Sequence, residues 1–182
     1  AIIEVTGPSP AFYGVGGAKI SAQDGVTMKL DAQGAIVCQT GVTELASVDS
    51  AGNQRDGDCY YPPLSADGRH VAFRSAATNL VLSDTNSFYD IFVRDRQSAT
   101  TERVSVDSAA VQSDGDSGLH PIISPDGRFV VFYSGGTNLV PGDMNGFFDV
   151  FLRDRQLATT VRASFGPGGV EPNANCSLAS VS

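Results

Sequence analysis

The sequence predicts an all-β protein built from repeated units of four short antiparallel strands. Three observations carry that expectation. Residues 65–105 recur as residues 124–164, agreeing without a gap at 25 of 41 positions and at a shift of 59 residues. Within each copy the apolar residues alternate with the period of a strand: Val71 and Phe73 point one way, and Ile91 and Val93 alternate against Phe92. No stretch of ten or more residues carries a helical stripe. A fixed period of this length marks a repeat architecture, so the fold follows from the unit.

The punctuation of the unit supplies its elements in order. Asp67-Gly68 and Asp126-Gly127 are hairpin dipeptides between apolar runs, because glycine accepts positive φ and aspartate bonds its own backbone. The second unit then reads as strands Tyr60–Ser65, Arg69–Ser75, Tyr89–Asp95 and Thr101–Asp107. The third reads as Leu119–Ser124, Arg128–Ser134, Phe148–Asp154 and Thr160–Phe165. A degenerate first unit precedes them, with Asp24-Gly25 as its hairpin echo and strands Val26–Leu30, Ala35–Gln39 and Thr43–Asp49.

Ala1–Thr6, followed by Gly7-Pro8, resembles the last strand of the third unit, which is followed by Gly166-Pro167. Cys176–Ser182 stands where the first strand of a fourth unit would begin. The expected division is a terminal strand and linker over 1–17 and a degenerate unit over 18–58. Full units follow over 59–117 and 118–175, with the first strand of a further unit over 176–182.

Four-stranded sheets repeated at this spacing are the mark of β-propeller blades. The run D-G-R-x-V-x-F-x-S, then T-N-L-V, then D-x-N-x-F-x-D-[IV]-F-[VL]-R-D-R resembles the TolB-type propeller repeats. The resemblance covers 60–182 well and 18–49 only by turn and strand pattern. It implies a setting outside the cytosol, secreted, at the cell surface or periplasmic, and leaves function open, because propellers host unrelated activities. Three blades plus two orphan strands make an incomplete or open propeller, since closed rings carry four or more blades. Exposed blade faces and unpaired strands call for a partner. The expected function is therefore a non-enzymatic structural or interaction protein that self-associates by strand complementation, into a ring or a head-to-tail filament. The alternative is a section of a larger TolB-like propeller that binds proteins or peptides.

Composition narrows the partners. Twelve basic against 20 acidic residues give a formal net charge of -8, with only Lys19 and Lys29 as lysines. Such a balance repels phosphate backbones and argues against nucleic-acid binding. No apolar run approaches the roughly 20 residues of a membrane span. Ala1 in place of methionine reads as a mature or trimmed chain. Cys38, Cys59 and Cys176 allow a Cys38–Cys59 bridge or three buried thiols.

The candidate site is the loop between the second and third strands of each full unit. Asp84, Asn86 and Asp90, repeated as Asp143, Asn145 and Asp149, place oxygen donors at alternate positions of a tight loop, as a structural calcium ion requires. The same residue types also cap turns by bonding local backbone N–H groups. Arg94-Asp95-Arg96 and Arg153-Asp154-Arg155 read as ion pairs with neighbouring strands, or as a patch for carboxylates. Asp56-Gly57-Asp58 and Asp114-Gly115-Asp116 read as turns, with bridging to the next blade as the alternative. His70 and His120 accompany no nucleophile elbow and no metal-ligand pair, so no catalytic residue is assigned. Asn175-Cys176-Ser177 matches a glycosylation sequon.

Overall fold

A computed structural model describes residues 12–13, 19–20, 27–30, 36–39, 44–118 and 120–176. The chain divides into two compact units, 1–44 and 45–182. In the first, β1 (Phe12–Tyr13) pairs antiparallel with β2 (Lys19–Ile20), and β3 (Thr27–Leu30) with β4 (Ile36–Gln39). These strands form two separate two-stranded ladders. The expected terminal strands at 1–6 and 177–182 lie outside the described residues.

The second unit holds two four-stranded antiparallel sheets, which are the two expected blades. One runs β5 (Cys59–Tyr60), β6 (His70–Ser75), β7 (Asp90–Asp95), β8 (Thr100–Arg103). The other runs β9 (Ile122–Ile123), β10 (Phe129–Ser134), β11 (Asp149–Asp154), β12 (Thr159–Arg162). The outer strands are shorter than the sequence predicts. Tyr61, just after β5, and its repeat equivalent His120, just before β9, have φ of 53° and 63°, which breaks the ladder there. The stretch expected as the first unit's last strand makes only a bridge, Val48 to Gln54.

Both hairpins form as their sequence requires. Gly68 (φ 69°) and Gly127 (φ 74°) sit in the left-handed region. Asp67 Oδ1 accepts the Ser65 hydroxyl at 2.6 Å and the Arg69 N–H at 2.9 Å. In the β6–β7 and β10–β11 ladders Phe73 stands opposite Phe92 and Phe132 opposite Phe151, with ring centroids 5.7 and 5.8 Å apart.

The central strands of the second blade bury both faces, which is why their pattern is nearly continuous in apolar residues. Val71, Phe73 and Phe92 pack with Ala77 and Leu80, on the side of Ala46. Ala72, Ile91, Val93 and Val104 face the following blade and join Ile123, Val130, Phe132, Leu139 and Phe151 in one core. Face-to-face packing of consecutive sheets is what makes them blades.

Candidate functional site

The loop between the two central strands is shaped by backbone turns at matched positions. Ser83 and Ser87 take φ of 68° and 59°, and their repeat partners are Gly142 and Gly146 at 80° and 70°. These turns fold Asp84 and Asn86 back over Asp90, the first residue of β7. The three residues converge in each blade, as the spacing predicts. What stands between them is an arginine. Arg103 Nη1 lies 3.1 Å from Asp84 Oδ1 and 3.3 Å from Asp90 Oδ2. The Ser105 hydroxyl donates to Asp90 Oδ1 at 2.5 Å, and Asn86 Nδ2 donates to Asp90 Oδ2 at 3.1 Å.

The third blade repeats the arrangement. Arg162 Nη1 lies 3.0 Å from Asp143 Oδ1 and 3.3 Å from Asp149 Oδ2. Ser164 donates to Asp149 Oδ1 at 2.6 Å and Asn145 Nδ2 donates to Asp149 Oδ2 at 2.9 Å. Glu171 adds a third carboxylate, 2.7 Å from Arg162 Nη2. Asp90 and Asp149 have no exposed surface. Burial pushes the carboxyls of Asp84, Asp90 and Asp143 up, against the opposing pull of the facing arginine.

Where the sequence expects calcium, this geometry places a guanidinium. A calcium ion takes six to eight oxygens. Here both Asp90 oxygens and both Asp149 oxygens already accept donors, and a guanidinium supplies the positive charge. Asn86 Oδ1 and Asn145 Oδ1 accept the N–H of Phe88 and Phe147, each at 3.0 Å, which turns them away from the carboxylates. Among the described residues no group of three or more His, Cys, Asp or Glu is arranged to hold a metal ion. The loop residues are arranged around the guanidinium. Arg103 and Arg162, with Ser105 and Ser164, escaped sequence reasoning. Their signal was the repeated T-x-R-x-S of residues 101–105 and 160–164, whose arginine lies 13 positions beyond the buried aspartate.

The other charged motifs are tied into the structure. Arg94 Nη1 donates to the carbonyl of Asp49 and to Thr101 Oγ1, and Arg153 Nη1 to the carbonyl of Asp107 and to Thr160 Oγ1. Asp95 receives Arg69 at 2.9 and 2.6 Å, and Asp154 receives Arg128 in the same two-point manner. Arg155 reaches Glu102 of the preceding blade at 2.7 Å. Asp56 and Asp114 do more than form turns: each bonds a threonine 22 or 23 residues ahead, Thr78 and Thr137.

His70 is buried with Nε2 3.7 Å from Asp95 Oδ2, and its Nδ1 has no partner. His120 stacks on Tyr61 at 4.0 Å between ring centroids. Cys59 and Cys176 are free thiols. Burial pushes the Cys59 thiol up.

No family model matches the chain, and no curated protein does. Among solved structures it is similar to one from Agrobacterium tumefaciens provisionally named TolB, at 18% identity and a TM-score of 0.44. That match covers 78% of this chain and 42% of the other. The chain thus spans less than half the length of the structure it matches. No helix among the described residues is long and apolar enough to cross a membrane.

Proposed function

We propose that this chain is a non-enzymatic interaction module whose last described blade receives a further blade on its outer face. One observation carries the reading. Ala72, Ile91, Val93 and Val104 of the second blade are 0% exposed beneath the third. Their equivalents one repeat later are Val131, Val150, Leu152 and Ala163. Val131 keeps 8% exposure, Val150 and Leu152 are half-buried, and Ala163 is exposed. An apolar sheet face built to the same plan, with less to cover it, marks a place where another blade packs. A further repeat of a longer propeller, a second copy of the chain or another polypeptide can supply that blade. The repeat's resemblance favours an envelope or extracellular setting for either.

The test is a chain in which residues 118–176 follow Cys176 a second time. Leu152→Asp should cost little in the natural chain, where the side chain keeps contact with water. In the extended chain it should cost about 3 kcal/mol or more, because the carboxylate is then buried without a partner. Equal costs in the two chains would mean that the outer face takes no blade.

A further inference from the structure

Each blade is locked to what precedes it through one corner, Thr-Asn-Leu-Val. In the second blade Thr78 donates its N–H and hydroxyl to the two oxygens of Asp56, each at 2.8 Å. Asn79 Nδ2 donates to the carbonyl of Gln54 at 2.9 Å, and Asn79 Oδ1 accepts the Asp56 N–H at 3.0 Å. In the third blade Thr137 and Asn138 make the same four bonds to Asp114 and Gln112, at 2.7 to 3.1 Å. The leucine that follows, Leu80 or Leu139, is 1% exposed. Residues 54–56 and 112–114 are therefore two occupied sockets for one corner.

The chain builds the same socket once more. Asn86 Nδ2 donates to the Ser113 carbonyl, and Asn145 Nδ2 to the Pro172 carbonyl. The N–H of Tyr89 donates to Asp116 Oδ1, and that of Phe148 to Asn175 Oδ1. The N–H of Ser117 donates to the Tyr89 carbonyl, and that of Cys176 to the Phe148 carbonyl, both at 2.8 Å. Residues 171–176 thus follow the course of 112–117. That course puts Glu171 and Asn173 where Gln112 and Asp114 hold a corner. Beside them opens a groove of about 610 Å³ lined by Phe165, Val170, Glu171, Pro172, Asn173 and Cys176.

We propose that this groove is a third socket, which takes the Thr-Asn-Leu-Val corner of a further propeller-type repeat. The proposal rests on the blade-docking reading and names the feature of the partner that is recognised. A second copy of this chain is the poorer occupant. Thr-Asn-Leu-Val occurs only at 78–81 and 137–140, and both corners are docked within the fold. The third socket is a weaker version of the other two. Asn173 supplies a neutral oxygen where Asp56 and Asp114 supply a charged one, and an amide N–H in place of the second acceptor, which the threonine oxygen accepts. Ala174 stands where the others have Gly57 and Gly115. A Cβ at Gly57 would lie 2.8 Å from the Ala77 nitrogen, and one at Gly115 2.8 Å from the Gly135 oxygen. The third corner must therefore seat slightly farther out, which suits an exchangeable partner.

The probe is a labelled synthetic peptide of residues 134–141, Ser-Gly-Gly-Thr-Asn-Leu-Val-Pro, titrated into the full chain by fluorescence anisotropy. Saturable binding is expected, with replacement of Thr-Asn by Ala-Ala weakening it about tenfold or more, the scale of two lost hydrogen bonds. The double variant Asn173→Asp, Ala174→Gly should tighten it by about tenfold. Equal binding of the two peptides, or no saturation on either protein, overturns the socket. If the peptide fails while Leu152→Asp keeps its larger cost in the extended chain, blade docking stands and the socket alone is wrong. Self-association of the full chain that the peptide competes away would overturn the ranking of a second copy as the poorer occupant.

Discussion

Arg103 Nη1 lies 3.3 Å from Asp90 Oδ2, and Asp90 has no exposed surface. The pair sits under the loop that bends over β7, so its charges are balanced by each other and not by water. Removing one partner leaves the other buried and uncompensated. Arg103→Met is expected to destabilise the fold by about 3–5 kcal/mol, read by denaturant unfolding. Arg103→Lys should recover only part of this, because an ammonium has no second nitrogen to hold the Ser83 carbonyl while the first serves Asp84 and Asp90.

The same geometry sets an expectation for calcium. A site loaded with the ion stabilises the native state by mass action. The melting temperature of the natural chain should therefore be the same in chelator and in millimolar calcium. A rise with calcium that chelator reverses would restore the metal reading. Arg103→Ala, which empties the space between Asp84 and Asp90, is the variant in which a calcium response is expected.

His70 gives the blade interface a dependence on mild acid. It faces Asp95 on β7, Asp67 and Arg69 on its own hairpin, and Gly127 and Arg155 of the third blade. Burial, followed by Arg155, pushes its pKa below the ordinary value. A lowered histidine pKa means that the unfolded chain binds the proton more readily. Stability is then full above about pH 6.5 and declines as pH falls below it. His70→Phe copies Phe129 at the equivalent place and removes the unpartnered Nδ1. It should flatten that decline and add about 1 kcal/mol. An unchanged pH profile would show that His70 does not titrate against folding.

Stronger acid acts through a different pair. Arg128 beside Asp154 holds its carboxyl down to about 2, and Arg69 holds Asp95 well below the usual carboxylate range. A lowered aspartate pKa contributes stability above the unfolded value, and that contribution is lost as pH falls through the folded one. Unfolding curves should show this loss between about pH 4 and pH 2, reduced in Asp154→Asn. A variant that follows the natural profile through that window would remove Asp154 from the account.

Much of this molecule was legible one residue at a time. The alternation of Val71, Phe73, Ile91 and Val93, with Asp67-Gly68 and Asp126-Gly127, specifies strands, register and hairpins, because those depend on side-chain period and local φ. The acidic loop was legible as a place where Asp84, Asn86 and Asp90 meet. Its chemistry was not, because Arg103 and Ser105 enter from the neighbouring strand β8, and only the pairing of β7 with β8 brings them in. Asp56 and Asp114 were read as local turns for the same reason: their partners, Thr78 and Thr137, lie more than 20 residues ahead.

The sequence by itself determined that the chain repeats, that its units are four strands long, and which residues converge in each loop. Only the tertiary structure decided what stands between those residues and which blade face is covered among the described residues. The physical reason is that a repeat encodes the same apolar face in every copy. Whether Leu152 is core or surface depends on what packs against it, and its own residue type cannot specify that.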